Sequence, residues 1–227
     1  LRPHIVDAFA LLESANAAGK NILFEAQLGA MRDIDYGIYP YTSSSSPLSA
    51  YAPVGSGCPA LKVDRTVGVV KAYSTCVGQG PFVGELFGEA GDALREAGQE
   101  YGAATGRPRR VAWIDLVATR YGAKLQAATE IVLTKLDVLS YLDEIPLCVA
   151  YRKGDGETRD FPYTSELDAC EPVYETMPGW KCDISGARTY SELPKEARDY
   201  VERIEREIGC PISYVSVGAQ RDALIRR

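Results

Sequence analysis

The stretch EIVLTKLDVLSYL, residues 130–142, decides the fold of this chain. A run of apolar and β-branched residues ends in Lys135-Leu136-Asp137, as in a buried strand that places a lysine and a carboxylate at its carboxyl end. Open α/β sheets bind their ligands at that end. An aspartate there can accept a ring N–H and an exocyclic N–H from guanine, while a lysine stem covers the base. The same aspartate can instead cap a helix or form a turn, so both interpretations stay open.

A second predicted strand, PISYVSV (residues 211–217), is followed by Gly218. Backbone N–H and C=O groups of Ser216, Val217 and Gly218 can contact the same base or its sugar if the two strands are neighbours. Yet the chain contains no phosphate loop of the form G-x-x-x-x-G-K-[ST]. The sequence therefore indicates a guanine-binding segment without a phosphate-binding loop.

The remaining pattern predicts an α/β fold with a mostly parallel sheet flanked by helices. Helices are predicted over residues 6–18, 89–102, 111–128 and 194–209, and the apolar segment VGVVKAYSTCVGQGPF (67–82) is predicted to be helical up to a glycine turn. Short buried strands are predicted at NILFEA (21–26) and IPLCVAY (145–151). Asp155-Gly156 signals a hairpin that opens a small antiparallel β excursion ending near Trp180. We find no internal repeat and no domain linker, which favours a single domain.

Composition excludes several classes of protein. The 227 residues carry a net charge of −6, which argues against a general nucleic-acid surface. No run approaches the ~18 apolar residues of a membrane span. One histidine, His4, and six scattered cysteines without a C-x-x-C pair argue against a zinc site and favour reduced cytosolic thiols.

Two loops are candidates for ligand binding. Residues 27–57, which we name the Ser/Tyr loop, are rich in Gly, Ser, Pro and Tyr. The hydroxyls of residues 42–46 suit a phosphate and the Gln27 amide suits a base or sugar, although a solvated linker is the alternative. Residues 102–109, GAATGRPR, form the basic loop, where Arg107 and Arg109 precede Arg110. Arginines this close favour an anionic ligand, against the alternative of a solvated basic turn.

Together the quoted segments resemble the adenylosuccinate synthetase family. The resemblance is carried in chain order by NILFEAQLGAMRDIDYGIYPYTSSS, KAYSTCVGQGPF, YGAATGRPRRVAWID, LTKLDVLSYL, LCVAYR, YETMPGW and VSVGAQR. It covers essentially the whole chain but only about the C-terminal half of the family's usual length. The resemblance implies a P-loop NTPase-like fold and a cytoplasmic, homodimeric enzyme that acts on neither nucleic acid nor membranes.

The implied reaction joins L-aspartate to inosine monophosphate (IMP), with GTP and Mg²⁺, to give adenylosuccinate, GDP and phosphate. The 6-oxygen of the hypoxanthine ring is phosphorylated, and the aspartate amine then displaces that phosphate. Phosphorylation turns a poor leaving group into a good one, and anchored cations offset the charge of the transferring phosphoryl.

The resemblance also implies roles for individual residues. The GTP contacts are Arg109, Lys135, Leu136, Asp137, Ser216, Val217 and Gly218. The IMP contacts are Gln27, Thr42, Ser43, Val77, Gly78 and Arg107. The aspartate contacts are Ala103, Ala104, Thr105, Gly106, Arg107 and Arg109.

This chain departs from the family pattern at several positions. It reads FEAQLG where many members read FEGAQG, so Leu28 occupies the usual amide position and Gln27 lies one place earlier. Ala104 replaces a common Thr, and Pro108 stands where an Arg is common. The segment VSVGAQR lacks the usual Pro-Asp. Aspartate affinity can therefore differ, while both loop arginines needed for the chemistry are kept.

The family's phosphate loop, catalytic Asp and catalytic His belong to its N-terminal half and are absent here. With Leu1 in place of an initiator methionine, residues 1–227 are expected to be the C-terminal part of a single synthetase domain. The Mg²⁺ ligands are then expected outside it, the chain alone is expected to be inactive, and open sheet edges are expected to make it poorly soluble. The alternatives are a non-catalytic guanine-nucleotide-binding module and an RNA-binding protein that uses GRPRR.

Overall fold

The computed structural model describes residues 1–227 and contains a central four-stranded sheet in the order β1-β5-β9-β10. Its strands are β1 (Val67–Lys71), β5 (Glu130–Thr134), β9 (Ile212–Ser216) and β10 (Leu224–Arg226). β1, β5 and β9 run parallel, and β10 pairs antiparallel with β9. The mostly parallel sheet predicted from the sequence is confirmed.

Two smaller sheets complete the architecture. They are built from β2 (Ser74–Cys76), β3 (Arg110–Ala112), β4 (Ile114–Asp115), β6 (Glu144–Lys153), β7 (Gly156–Thr158) and β8 (Glu171–Pro178). β2 pairs antiparallel with β3, whereas β6 pairs in parallel with β4 and antiparallel with β7 and β8. The predicted hairpin at Asp155-Gly156 joins β6 to β7, and the antiparallel excursion is confirmed.

Six α-helices accompany the sheets. Their bounds are α1 (Ala8–Ala17), α2 (Ala52–Gly55), α3 (Gly88–Gly98), α4 (Leu116–Leu125), α5 (Thr164–Leu167) and α6 (Lys195–Ile208). α6 shows how local sequence sets these bounds: it begins after Pro194 and ends at Gly209, whose φ of 71° suits glycine. None of the helices is long and apolar enough to span a membrane.

The main core lies where α3, α4 and α6 pack on the central sheet. Leu94 of α3, Leu116 of α4 and Val201 of α6 share one buried cluster with Leu133 of β5 and Val215 of β9. Each fully buried aliphatic side chain of this kind contributes about 1.5–3 kcal/mol. The core therefore holds the carboxyl ends of β5 and β9 in fixed positions.

Three predicted elements are wrong. NILFEA (21–26) is not a strand: no other strand lies beside it and Leu23 is 91% exposed. Residues 67–82 are not helical, because the valines of β1 pair in parallel with β5 and residues 74–76 pair with β3. The helix predicted over 111–128 begins only at Leu116, because the preceding residues form β3 and β4.

The Ser/Tyr loop is ordered by its own polar contacts, as predicted. Asp33 is fully buried and accepts hydrogen bonds from the backbone N–H groups of Asp35 (2.9 Å) and Tyr36 (2.8 Å) and from the Ser46 hydroxyl. Ser49 donates to the Gln126 carbonyl oxygen at 2.6 Å, which joins the loop to the end of α4. A solvated linker would have none of these buried partners, so that alternative is wrong.

Candidate functional site

The two predicted base-binding segments lie side by side at the carboxyl edge of the central sheet. β5 and β9 are parallel neighbours, with Leu133 opposite Val215. Residues 135–137 follow β5, and residues 216–218 complete and follow β9. The structure thus brings together the two strand ends that the sequence could only place on separate strands.

Asp137 has an unpaired carboxylate oxygen at this edge. Its Oδ1 atom is buried and has no hydrogen-bond partner within the protein. Burial raises the pKa of Asp137, against the lowering effects of a hydrogen bond from its own backbone N–H and of the Lys135 ammonium, and the Asp183 carboxylate adds a smaller rise. A buried acceptor without a partner costs free energy, so this oxygen is suited to a donor supplied by a ligand.

Lys135 has an unusual backbone conformation next to Asp137. Its φ is 61° in the left-handed region, which is uncommon for a residue with a side chain. The Nζ atom donates to the Gly98 carbonyl oxygen at 2.5 Å, so the stem is held between β5 and the end of α3.

The second strand end is held by short local contacts. The Val217 N–H donates to the Ala223 carbonyl oxygen at 3.0 Å, and the Ser216 hydroxyl donates to the Gly218 carbonyl oxygen at 2.8 Å. Val217 is fully buried. A Cβ atom on Gly218 would lie 3.3 Å from the Ala223 Cβ, so glycine suits this close turn.

Glu100 is a site residue that the sequence did not reveal. Its fully buried carboxylate accepts hydrogen bonds from Lys71 (2.8 Å), Tyr73 (2.5 Å) and Arg109 (2.7 Å) and lies 3.3 Å from the Lys135 Nζ atom. Burial alone would raise the pKa of Glu100, but the hydrogen bonds from Lys71, Tyr73 and Arg109 outweigh it and lower the pKa to about 2. The carboxylate is therefore charged at neutral pH and joins the basic loop to the β5 end.

The basic loop is a closed turn whose tip is exposed. The Gly102 N–H donates to the Arg107 carbonyl oxygen at 2.8 Å, and the Gly106 N–H donates to the Gly102 carbonyl oxygen at 2.7 Å. Ala103, Ala104, Thr105 and the Arg107 side chain are exposed. The tip can therefore receive a ligand while Arg109 is held at the base of the loop.

Apart from Arg107, the residues predicted to contact IMP lie in two parts of the structure, the turn after β2 and the Ser/Tyr loop. Val77 and Gly78 are exposed and follow β2, whose Cys76 lies opposite Arg110 at the start of β3. This pairing places Val77 and Gly78 next to the end of the basic loop. Thr42 and Ser43 are half-buried in the Ser/Tyr loop, and the Gln27 side chain is exposed.

Arg32 is a second residue that the sequence did not reveal. Its guanidinium donates to the carbonyl oxygens of Val77 (2.7 Å), Gln79 (3.2 Å) and Tyr41 and contacts the Cys76 sulfur at 2.8 Å. Its own carbonyl oxygen accepts from the Ser43 N–H at 2.8 Å. Arg32 therefore joins the candidate phosphate contact in the Ser/Tyr loop to the candidate backbone contacts after β2.

The third arginine of GRPRR has a structural partner. Arg110 Nε lies 2.9 Å from each carboxylate oxygen of Glu85, and Arg110 also donates to the Gly80 carbonyl oxygen at 2.8 Å. With Arg109 paired to Glu100, only Arg107 presents a free guanidinium at the tip. This surface does not favour RNA binding.

No group of three or more His, Cys, Asp or Glu side chains is close enough to hold a metal ion. All six cysteines are free thiols.

The fold and the edge define a class: an α/β protein whose candidate ligand site lies along the carboxyl ends of parallel strands. Residues 1–225 match the family model of adenylosuccinate synthetase. The chain belongs to the adenylosuccinate synthetase family.

Individual relatives agree with this assignment. The adenylosuccinate synthetases of Bifidobacterium adolescentis and Thermomicrobium roseum are each 49% identical over 228 residues, which is 100% of this chain and 53% of each relative. The fully ligated adenylosuccinate synthetase of Plasmodium falciparum superposes with a TM-score of 0.95 at 40% identity, over 100% of this chain and 55% of that one. The chain thus spans about half the length of the relatives it matches.

A more distant structure shares only the fold. The cyanophage S-2L succinoaminodeoxyadenylate synthetase superposes with a TM-score of 0.57 at 15% identity, over 98% of this chain and 50% of that one.

Proposed function

We propose that this chain is the C-terminal part of an adenylosuccinate synthetase, which joins L-aspartate to IMP at the expense of GTP. The observation that carries the proposal is the unpaired Asp137 oxygen just after β5, whose carboxyl end neighbours that of β9. The reaction is inferred from membership of the family. The carboxyl edge of the central sheet carries the hydrogen-bonding and charged groups that each substrate requires. The whole enzyme is proposed to be a cytoplasmic homodimer.

Guanine binding is proposed for the edge between β5 and β9. The Asp137 carboxylate accepts the ring N–H and exocyclic N–H of guanine, the Lys135 stem covers the base, and backbone groups of residues 216–218 contact the base from the neighbouring strand. Desolvation of Asp137 supports this, since hydrogen bonds to a charged, desolvated acceptor are strong.

Binding of aspartate and phosphate is proposed for the basic loop. Residues 103–106 are proposed to contact L-aspartate: the backbone N–H groups of residues 103–105 and the free Arg107 guanidinium suit its carboxylates, while the Gly106 N–H closes the turn onto the Gly102 carbonyl oxygen. Arg107 is also proposed to reach the IMP ribose. Arg109 lies on the guanine side, where its charge can offset that of the GTP phosphates.

IMP binding is proposed for the surface between the Ser/Tyr loop and the turn after β2. Thr42 and Ser43 supply hydroxyl donors for the phosphate, and Val77 and Gly78 supply backbone contacts. Gln27 is exposed and available to the base or sugar. The contacts of Arg32 hold these two parts together, which supports one shared site.

The remaining groups of the enzyme are proposed to lie in an N-terminal part outside this chain. Two observations support this: the chain spans 53% of its bacterial relatives, and β1 has a strand partner on one side only. That part would supply the phosphate loop, the catalytic Asp and His, and the ligands for Mg²⁺.

The test joins this chain to the N-terminal remainder of the Bifidobacterium adolescentis synthetase. We call the product the fusion enzyme. It is expected to form adenylosuccinate from IMP, aspartate and GTP, detected by chromatography, while the 227-residue chain alone forms none. Turnover by the chain alone would overturn the fragment proposal.

A second candidate function is tested by the same experiment. A non-catalytic guanine-nucleotide-binding module is favoured by the unpaired Asp137 oxygen in a chain that lacks a phosphate loop. A folded fusion enzyme that binds GTP in calorimetry, loses that binding with Asp137→Asn, and yields no product would favour this module and contradict the synthetase proposal. Absence of GTP binding would contradict both.

A further inference from the structure

The Glu100 cluster has an excess of positive charge. One buried carboxylate faces three cations, Lys71, Arg109 and Lys135, and the Asp137 carboxylate lies near Lys135, which leaves a surplus of one positive charge. The carboxylate is 0% exposed, whereas the three cationic side chains are 27%, 32% and 36% exposed. The negative charge is thus internal, and the surplus positive charge faces outward along the carboxyl edge.

Glu100 also fixes the base of the basic loop through its backbone. Its carbonyl oxygen accepts from the Arg109 N–H at 2.9 Å, and its N–H donates to the Arg95 carbonyl oxygen at 2.9 Å. An isolated bridge pairs Tyr101 with Pro108 in the next register position. Main chain and side chain of one residue therefore both set where Arg109 lies.

The cations come from three separate parts of the chain. Lys71 ends β1, Arg109 ends the basic loop, and Lys135 follows β5. Without a shared counter-charge, three cations at this spacing repel one another. A single buried carboxylate is what permits them to stay together.

We propose that Glu100 is a positioning residue that fixes the basic loop relative to the residues after β5, so that aspartate, the GTP phosphates and guanine are bound in register. This inference rests on the proposed function. Glu100 contacts no substrate itself; it acts through Arg109 and Lys135. It predicts that a change of Glu100 raises KM for both aspartate and GTP, and raises KM for IMP less, because only Arg107 of the basic loop is proposed to reach IMP.

The test is steady-state kinetics of the fusion enzyme carrying Glu100→Gln. The amide has the same size but no charge, so Arg109 and Lys135 lose their common anchor. We expect KM for aspartate and KM for GTP each to rise about tenfold or more, with a smaller rise of at most about threefold in KM for IMP and kcat within about threefold. Glu100→Asp, which keeps the charge on a shorter stem, is expected to give intermediate KM values.

A matched control is Glu96→Gln. Glu96 is an exposed carboxylate on α3 that accepts a hydrogen bond from Tyr101 beside the same loop, but it contacts none of the three cations. Its loss is expected to leave all three KM values within twofold. Equal effects of Glu96→Gln and Glu100→Gln would overturn the proposal.

The kinetic results distinguish a failure of the Glu100 inference from a failure of the proposed function. An unsubstituted fusion enzyme without activity counts against the proposed function. An active fusion enzyme in which Glu100→Gln lowers only kcat, with all KM values unchanged, assigns Glu100 a purely structural role and overturns the inference.

A milder variant decides the question if Glu100→Gln does not fold. Tyr73→Phe removes one hydrogen bond to Glu100 and keeps the buried ring. We expect a two- to fivefold rise in KM for aspartate and GTP only. Unchanged KM values in this variant, together with an unfolded Glu100→Gln, would overturn the proposal.

Discussion

At the scale of single residues, two carboxylates near the edge of the central sheet differ in how completely they are hydrogen-bonded. Glu100 has every oxygen engaged, and Asp137 has one buried oxygen that no protein group reaches. Native proteins pair nearly all their buried polar atoms, so an unpaired one marks a place where a ligand donor fits. The Asp137 side chain is therefore the most direct target for substitution.

Asp137→Asn is expected to exchange the preferred base. Hydrogen bonds to charged groups contribute about 1.5–3 kcal/mol, so KM for GTP should rise about 10- to 100-fold. Xanthine carries a carbonyl where guanine carries its exocyclic amine, and an amide can donate to that carbonyl. The variant of the fusion enzyme should therefore use XTP better than the unsubstituted protein does. An unchanged ratio of GTP to XTP use would overturn the base assignment.

Arg32→Leu is expected to damage the IMP site alone. The leucine cannot bind the carbonyl oxygens of Val77, Gln79 and Tyr41, so the Ser/Tyr loop loses its link to the turn after β2. KM for IMP should rise about tenfold, by loss of about 1.4 kcal/mol, with KM for GTP unchanged. Arg152→Leu in the exposed β6–β7 hairpin is the matched control and should change neither. A parallel rise in KM for GTP would contradict a separate role for Arg32.

At the scale of elements, the conformation of the basic loop depends on one glycine, and the start of α4 depends on one capping aspartate. Gly106 adopts a φ of +63° at the tip of the basic loop, and a Cβ atom there would meet no atom within 4 Å. Any effect of a side chain at Gly106 is therefore conformational rather than steric.

Gly106→Ala is expected to misplace the basic loop. A residue with a Cβ in the left-handed region costs about 1–2 kcal/mol, so relaxation of the loop away from this conformation should raise KM for aspartate about 5- to 30-fold. Gly186→Ala is the control: it also has open space around the added Cβ but no left-handed φ, and it should be neutral. Equal KM values for the two variants would contradict the role of the loop conformation.

The start of α4 is expected to make stability depend on pH. Asp115 caps this helix through Ala118 N–H, yet burial raises its pKa to about 6, against the lowering effect of its hydrogen bonds from Tyr151 and Ala118. The folded state therefore binds the proton more tightly than the unfolded state, so stability falls as pH rises from about 4 to about 6.

Asp115→Asn tests whether the ionisation of Asp115 makes the protein less stable as pH rises. Between pH 5 and pH 7 the free energy of unfolding of the unsubstituted protein should fall by about 1 kcal/mol more than that of the variant, which keeps an acceptor for the Ala118 N–H. Urea titrations at the two pH values measure the difference. A variant with the same or a steeper fall would show that Asp115 is not the titrating group.

The elements that sequence reasoning predicted correctly are those whose signals are local. The β-branched run of β5, the apolar stripe of α6 and the hairpin glycine at Gly156 lie within each element. β1 was mistaken for a helix because a short apolar run has no decisive periodicity, and its partner β5 lies far along the chain. The neighbouring ends of β5 and β9 agree with the predicted pocket, while its ligands stay a proposal.

The sequence alone does not reveal the roles of Glu100 and Arg32, and the physical reason is the same for both. Their partners come from distant parts of the chain: Lys71 and Lys135 for Glu100, and Val77 for Arg32. A buried charge surrounded by cations leaves no spacing pattern in one sequence. The motif of the basic loop identified Arg109 but not the carboxylate that holds it.

At the scale of the whole molecule, the central sheet has an open side. β1 pairs with β5 only, and Val69 on it is 71% exposed. A strand edge with exposed valines is a template for pairing with another strand. The isolated chain is therefore expected to aggregate.

Val69→Lys is expected to keep the isolated chain in solution at higher concentration. A lysine on an open edge opposes pairing between copies, as gatekeeper charges do in natural sheets. Light scattering of the purified chain measures the effect. The control is Val54→Lys, at a half-exposed valine of the short helix α2, which should aggregate like the unsubstituted chain. Equal aggregation of the two variants would show that the β1 edge is not responsible.

The unpaired oxygen of Asp137 also affects how the site would discriminate against adenine nucleotides. Adenine presents a ring nitrogen lone pair and a C–H bond where guanine presents two N–H donors. Its approach would set acceptor against acceptor around a carboxylate oxygen that is buried from solvent. Selectivity then arises mainly from repulsion of the wrong base, since the site gains nothing from adenine and still excludes solvent. In the proposed synthetase, adenine nucleotides would therefore not compete with GTP for this edge.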